Sequence, residues 1–302
     1  MNRKHVSKIA VSGIVGVIFL MSAITKLFPI QLFEAALVEG YFSNWVLAPY
    51  IARIIIAGEF LLGGLLILNV YFAKRVIKVS IATLIIFSIH LLIVIVTEGN
   101  TGNCMCFGNV IVLSPLESII KNLVLIGMLL IVYKFHNGIL YKKPYRILLF
   151  LSIFSIAVPL TQPFQKNTIT NNDDVVGNHL YLERVTDTAH HGNLAQGKHI
   201  IAFLSFTCPH CKIAAFKLHV MKKRNPSIPI FLFFLGKESN LAGFQLETKT
   251  HTIPNALLSD VDFIYRSGVR LPAIYYVDAD TIVKKVNYTT LHQDDIEQWL
   301  QE

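Results

Sequence analysis

The sequence predicts a multi-domain chain, an all-α bundle of membrane-spanning helices followed by an α/β domain. Three observations carry that prediction. Hydrophobic residues fill 53% of the 302 positions and only 15% are charged, with a mean hydropathy of +0.54, and the apolar excess lies before residue 163. Beyond the polar stretch 165–174, strand-like apolar runs alternate with helical ones. All four cysteines fall in two tight pairs, Cys104-Met105-Cys106 and Cys208-Pro209-His210-Cys211. Pairs this close are poor loop-closing staples, because the entropic gain of a disulfide grows with the loop it closes. Such spacing points instead to thiol–disulfide chemistry.

A spanning helix needs about twenty mostly apolar residues. Five stretches are candidates: 9–28, 46–70, 76–96, 116–133 and the shorter 147–161, which contains Pro159. The first is read as a span and not a signal peptide, because no small-x-small cleavage site follows it and Lys26 stands at its end. Lys/Arg placement sets the expected orientation. Arg3, Lys4 and Lys8 precede the first span, Lys74, Arg75 and Lys78 separate the second from the third, and Lys134, Lys142, Lys143 and Arg146 separate the fourth from the fifth. These segments are expected in the cytoplasm. The stretch 97–115 holds no Lys or Arg, and 29–45 holds Glu34 and Glu39, so both are expected outside. Five spans then put both cysteine pairs in one oxidising compartment, the periplasm of a bacterial inner-membrane protein with a cytoplasmic N-terminus. Four spans would separate them. The net charge of +8 reads as this topology signal against the lipid bilayer, and no nucleic-acid partner is expected.

In the C-terminal part, 199–206 and 228–235 read as buried strands, 208–224 and 240–251 as helices, 273–277 with 281–286 as a hairpin, and 294–300 as a closing helix. That alternation implies a sheet with helices packed on it. The order, the C-P-H-C after a strand, and Val269-Arg270-Leu271-Pro272-Ala273 before the hairpin resemble the thioredoxin fold over about 176–302. The resemblance implies a cis Pro272 that, with Leu271, binds substrate peptide beside Cys208. A helix start favours a thiolate at Cys208. Cys211, one turn on, resolves the mixed disulfide, and His210 adds positive charge when protonated. Pro-His is also the dipeptide of the oxidising thioredoxin-like protein DsbA. One departure stands out: the buried carboxylate of thioredoxin-type reductases is replaced by Ala202. A zinc half-site is the other reading of C-P-H-C, but no second pair with zinc-like spacing follows.

The membrane part resembles the DoxX/MauE group over about 8–135. The residues are Cys104-Met105-Cys106-Phe107-Gly108, Ala23-Ile24-Thr25-Lys26-Leu27, and Glu59 within Ala57-Gly58-Glu59-Phe60-Leu61-Leu62-Gly63. The resemblance implies a redox-associated four-helix domain working with a thioredoxin-like partner of the MauD kind, here fused, and possible maturation of a methylamine dehydrogenase-type subunit. Expected domains are therefore 1–144, a fifth helix and polar linker over 145–175, and 176–302.

Cys104 and Cys106 either close a small, readily reduced disulfide ring or each exchange with Cys208, the glycines Gly102 and Gly108 letting the loop bend. An inert pair, or a Cu(I) site that also uses Met105, are the alternatives. Ionisable residues within spans are costly and point to function. Glu59 is expected to pair with Lys26 or Arg53, or to serve a proton path with Lys26 and His90. Gly58, Gly63 and Gly64 suggest close helix packing. The expectation is a membrane-anchored thiol–disulfide oxidoreductase acting on extracytoplasmic protein thiols. No metal ligand set is expected, a membrane quinone is the one candidate cofactor, and a copper chaperone is the alternative function.

Overall fold

The computed structural model describes residues 3–40, 43–70, 73–100, 104–108, 111, 113–135, 143–162, 177–182, 194–268 and 270–302. Val269, Gly102, Lys142 and most of the expected linker lie outside the described residues. The chain divides into two compact units, Met1–Pro163 and Phe164–Glu302.

The first unit contains helices α1 (Arg3–Leu27), α2 (Ile30–Glu39), α3 (Ala48–Leu68), α4 (Ala73–Glu98), α5 (Pro115–Phe135) and α6 (Pro144–Leu160). Four stretches within them, Ile9–Leu27, Ala48–Leu68, Lys74–Thr97 and Pro115–Lys134, are long and apolar enough to cross a membrane. Their outward faces carry exposed Ile14, Val17, Ile54, Ile85, Ile89, Leu123 and Val124, an apolar surface that suits lipid and not water. Helix α6 has 17 residues. At about 1.5 Å per residue it rises about 26 Å, short of the ~30 Å hydrocarbon core. It packs on α3, where a Cβ at Gly64 would meet Leu151 and Phe60 meets Phe154 edge-on at 6.4 Å.

Helices α1 and α3 approach closely at Gly16 and Gly63. A Cβ on either would lie within 3 Å of the other's carbonyl oxygen, so only glycine permits this contact. Gly58 differs from expectation: a Cβ there would meet open space. The interior joins Val15 and Phe19 of α1 to Leu62, Leu65 and Leu66 of α3, Leu84 of α4, and Leu125 and Leu129 of α5.

Within 29–45, the stretch expected outside, residues Ile30–Glu39 form helix α2, in which Glu34 and Glu39 are only 2% and 6% exposed. Glu34 tolerates burial because Arg53 Nη1 donates to its Oε1 at 2.7 Å. The same guanidinium donates to the carbonyls of Pro49 and Gln162, tying α2, α3 and the end of α6 together. The partner of Arg53 is thus Glu34, and Glu59 takes Lys26.

In the second unit, strands β1 (Lys198–Ser205), β2 (Ile230–Leu235), β3 (Asn255–Leu257), β4 (Ala273–Asp278) and β5 (Thr281–Val286) form one sheet in the order β3-β2-β1-β4-β5. The first three are parallel, while β4 runs antiparallel to β1 and to β5. Helices α7 (Pro209–Arg224), α8 (Leu241–Thr248), α9 (Asp260–Ser267) and α10 (Gln293–Gln301) accompany it. One core joins Ile201 and Phe203 to Phe231, Phe233, Phe263 and Tyr275, with Phe203 stacked on Phe233 at 5.2 Å. This is the thioredoxin-like arrangement expected. Strand β3 and helix α9 were not anticipated. The start of α9 was readable, since Ser259 accepts from the Asp262 N–H, a capping arrangement spelled by Ser-x-x-Asp.

Arg53→Met should strand the Glu34 carboxylate without its ion-pair partner and destabilise the bundle by about 3–5 kcal/mol. A thermal unfolding scan in detergent reads this as a lower midpoint, recovered in large part by Glu34→Gln/Arg53→Met. An unchanged midpoint for the single variant would contradict the assignment.

Candidate functional site

Cys208 is the N-cap of α7 and Pro209 its first residue, a position where proline's fixed φ and missing N–H cost nothing. The Cys211 N–H points at the Cys208 Sγ, 3.3 Å away. Cys208 is half-buried and Cys211 fully buried, so Cys208 is the sulfur a substrate reaches first. Burial pushes the Cys211 thiol well above its usual range, and the hydrogen bond with the Cys208 side chain pushes the same way. Ala202, in the position expected to lack a carboxylate, is sealed between Leu232 and Ile274 in the sheet.

The Leu271–Pro272 peptide is cis. Because Phe203 pairs with Ala273, Pro272 lies at the end of the sheet where β1 leads into Cys208. Arg270, Leu271, Pro272, Lys285, Val286 and Tyr288 are among the residues lining a groove of ≈ 170 Å³ there. The Tyr288 ring also stacks on His210, with centroids 4.8 Å apart, which joins the groove to the C-P-H-C motif. The segment carrying Tyr288 is fixed from beneath. Buried Lys217 of α7 donates to the carbonyls of Tyr288 and Leu291, and Asn287 Oδ1 accepts from the N–H groups of Thr289 and Thr290. Tyr288 carried no sequence signal. Lys217 did, as a lysine among Ala214, Ala215, Phe216 and Leu218.

The C-x-C pair lies between α4 and α5. Cys104 Sγ is 2.8 Å from Ser118 Oγ and accepts from the Cys106 N–H at 3.3 Å. Gly108 adopts a φ of +54, and a Cβ there would run into the Thr25 carbonyl. Both facts require glycine, and they seat the C-x-C-F-G element against the A-I-T-K-L end of α1. Lys26 Nζ donates to Glu59 Oε1 at 2.6 Å and to Ser22 Oγ. The Ser22 hydroxyl in turn donates to the Cys106 carbonyl at 2.9 Å. A continuous polar chain therefore links the buried ion pair to the cysteine loop.

Cys104, Cys106, Lys26, Glu59 and His90 share the wall of one cavity of ≈ 190 Å³ with Lys121 and Asn122. The expected group is thus brought together, and Lys121, Ser118 and Ser22 join it. Lys121 was legible as a cation inside the fourth expected span. Its ammonium lies 4.4 Å from the Phe107 ring centroid. The hydrogen bond with the Cys104 side chain lowers the Cys106 thiol to about 6, helped by the charges of Lys121 and Lys26 and opposed by burial. The same hydrogen bond and burial push Cys104 up. Cys106 is thus the more acidic sulfur of the pair and Cys104 the less acidic. Among the described residues no group of three or more His, Cys, Asp or Glu side chains is placed to hold a metal ion.

A helical membrane domain with a split-acidity C-x-C pair, followed by a thioredoxin-like domain with a helix-capping C-x-x-C, defines a membrane protein of the thiol–disulfide oxidoreductase type. Residues 4–135 match the family of the methylamine utilisation protein MauE. Over 317 aligned residues the chain is 26% identical to Protein TlpB of Flavobacterium psychrophilum, spanning 87% of this chain and 86% of that protein. Among solved structures, it is similar to a secreted Mycobacterium tuberculosis disulfide oxidoreductase described as homologous to Escherichia coli DsbE. The identity is 20%, with 36% of this chain and 85% of that one covered, at a TM-score of 0.31. The thioredoxin domain of a thiol-disulfide oxidoreductase from Bacteroides vulgatus matches at 19% identity, covering 35% and 81%, also at 0.31.

The acidity of Cys106 has a direct readout. In a Cys208→Ser/Cys211→Ser background, alkylation of Cys106 by iodoacetamide, followed by mass spectrometry, should rise through a midpoint near pH 6. Lys121→Met removes a positive charge that favours the thiolate, so the midpoint should move up. An unmoved midpoint would show that Lys121 does not act on this sulfur.

Proposed function

We propose that the chain relays electron pairs between Cys208/Cys211 and Cys104/Cys106, connecting an extracytoplasmic protein dithiol to a carrier in the bilayer. The carrying observation is the Cys104/Cys106 pair itself: one acidic sulfur and one proton-holding sulfur on a cavity wall beside two lysines. The Lys/Arg distribution supports a bacterial inner-membrane protein with a cytoplasmic N-terminus. Helix α6 then serves as a fifth crossing, its shortfall in length met by local thinning of the bilayer. That arrangement puts both dithiols outside.

In the oxidising direction, a substrate thiolate attacks Cys208 of the Cys208–Cys211 disulfide and releases Cys211 as a thiolate. The second substrate thiol then displaces Cys208, leaving an oxidised substrate and a reduced pair. The reduced pair passes its two electrons to a Cys104–Cys106 disulfide through the same two displacements. Pro209-His210 and the absence of a carboxylate at Ala202 favour this direction, since no buried base at that position speeds release of a reduced substrate. The cis-Pro groove with Leu271, Pro272 and Tyr288 suits an extended peptide segment. The methylamine utilisation family match makes a disulfide-bonded subunit of a methylamine dehydrogenase type the first substrate to try.

The test is the resting state of Cys208/Cys211 in membranes, read by mass-tagging free thiols after a dithiothreitol pulse and washout. The wild-type pair should return to the disulfide. In Cys104→Ser/Cys106→Ser the return should be slower by ~10-fold or more, because the acceptor dithiol is gone. Equal rates in both would overturn the relay.

A further inference from the structure

Thiol exchange alone does not account for the cavity behind the C-x-C pair. Its ≈ 190 Å³ exceeds the roughly 150 Å³ apolar hole that holds a benzene ring. Half of its lining residues are Ile, Leu or Phe, drawn from α1 to α5. Its polar lining includes Ser22, His90 and Asn122, and the charged and sulfur groups beside them are complementary in kind. Lys26 and Lys121 bring ammonium donors, Cys104 and Cys106 bring two sulfurs, and Glu59 brings an acceptor. Glu59 is 3% exposed, and among the described residues its Oε2 accepts no hydrogen bond while Oε1 is held by Lys26. A buried carboxylate oxygen without a donor is an open demand for one. Ile86 lines the cavity and is also 64% exposed on the surface of α4, so the rim reaches the lipid-facing side.

We propose that this cavity binds the ring of a lipid-soluble para-quinone, which takes the two electrons of Cys104 and Cys106. The proposal rests on the relay reading above and supplies its terminal acceptor. Two ring carbonyls match the two ammoniums, and the hydroxyl formed on reduction supplies the donor that Glu59 Oε2 lacks. The apolar wall covers the ring faces, and a hydrocarbon tail leaves past Ile86 into the acyl chains. In the reaction the Cys106 thiolate forms a bond to the ring and places its electron pair there. Cys104 loses its proton and attacks the Cys106 sulfur, so the S–S bond forms as the S–C bond breaks. The ring keeps both electrons and gains two protons, one from Cys104 and one from a lining lysine ammonium. The products are one Cys104–Cys106 disulfide and one hydroquinone, with the lysine reprotonated from the aqueous side.

The test uses the purified full-length Cys208→Ser/Cys211→Ser protein, reduced and mixed without oxygen with ubiquinone-1 or menaquinone-4, whose fully substituted rings resist arylating thiols. One quinone should be reduced per chain with formation of one Cys104–Cys106 disulfide, at least ~10-fold faster than in the same protein unfolded in SDS, because the site holds the reactants together. Ala36→Phe fills the cavity from α2 without removing a polar group, and should slow the reaction by a similar factor at an unchanged unfolding midpoint. In a variant with all four cysteines replaced by serine, the quinone should still raise the unfolding temperature, and Ala36→Phe should abolish that rise. Absence of stoichiometric reduction, or an Ala36→Phe variant that is folded and unaffected in both assays, overturns the site. If wild-type protein still exchanges thiols through Cys104 and Cys106 while neither quinone is reduced, the quinone site falls and the relay stands. If quinone is reduced while Cys208/Cys211 reoxidise without Cys104 and Cys106, the relay falls instead. The faster of the two quinones identifies a benzoquinone or naphthoquinone ring as the fitting class.

Discussion

A lysine and a glutamate buried among apolar helices have few choices, and the Lys26–Glu59 contact at 2.6 Å organises much of what surrounds it. Each charge alone would be expelled from a low-dielectric interior. Together they fasten α1 to α3 beside the glycine crossing at Gly16 and Gly63. Ser22 extends the pair to the Cys106 carbonyl, so the loop that carries the chemistry hangs from the ion pair. Such a pair adds little net stability relative to packed hydrophobes. Its value is positional, since it fixes an ammonium next to a sulfur whose thiolate form that charge favours.

The two dithiols reach a similar division of labour by different physics. In the thioredoxin-like domain, burial and the neighbouring thiol keep the proton on Cys211, while Cys208 caps a helix with a backbone donor aimed at it. In the membrane domain the asymmetry comes from the hydrogen bond between the two thiols and from nearby lysines. A one-residue spacing leaves no helix start between the cysteines, so the charge must be stabilised by side chains from other helices. The second buried pair, Arg53–Glu34, is structural by contrast. It pins α2 and the end of α6 to α3 and does not line the cavity.

The strongest periodic signals were the ones the sequence made legible. Continuous apolar runs gave the four long helices, and β-rich runs around C-P-H-C gave β1, α7 and β2. The hairpin followed from the turn at Asp278-Ala279-Asp280. Helix α2 has 10 residues, too short to register as a span, and only the position of Arg53 in three dimensions neutralises Glu34. Strand β3 has three residues, too few for an alternation to register. Of the site, Cys104, Cys106, Lys26, Glu59 and His90 were named from the sequence. Ser22 and Ser118 were not, because a serine in an apolar helix ordinarily bonds its own preceding turn. Tyr288 acts through a ring stack with a residue far along the chain, a relation no local pattern encodes.

The account turns on whether electrons pass between the two pairs within this chain. The most direct measurement is to make Cys211→Ser in the full-length protein, so that a mixed disulfide formed by Cys208 cannot resolve, then digest it without reductant and examine it by mass spectrometry. A peptide joining Cys208 to Cys104 or Cys106, lost in Cys104→Ser/Cys106→Ser, is the predicted result. No such link, in protein whose Cys208 still forms mixed disulfides with small thiols, would contradict the account.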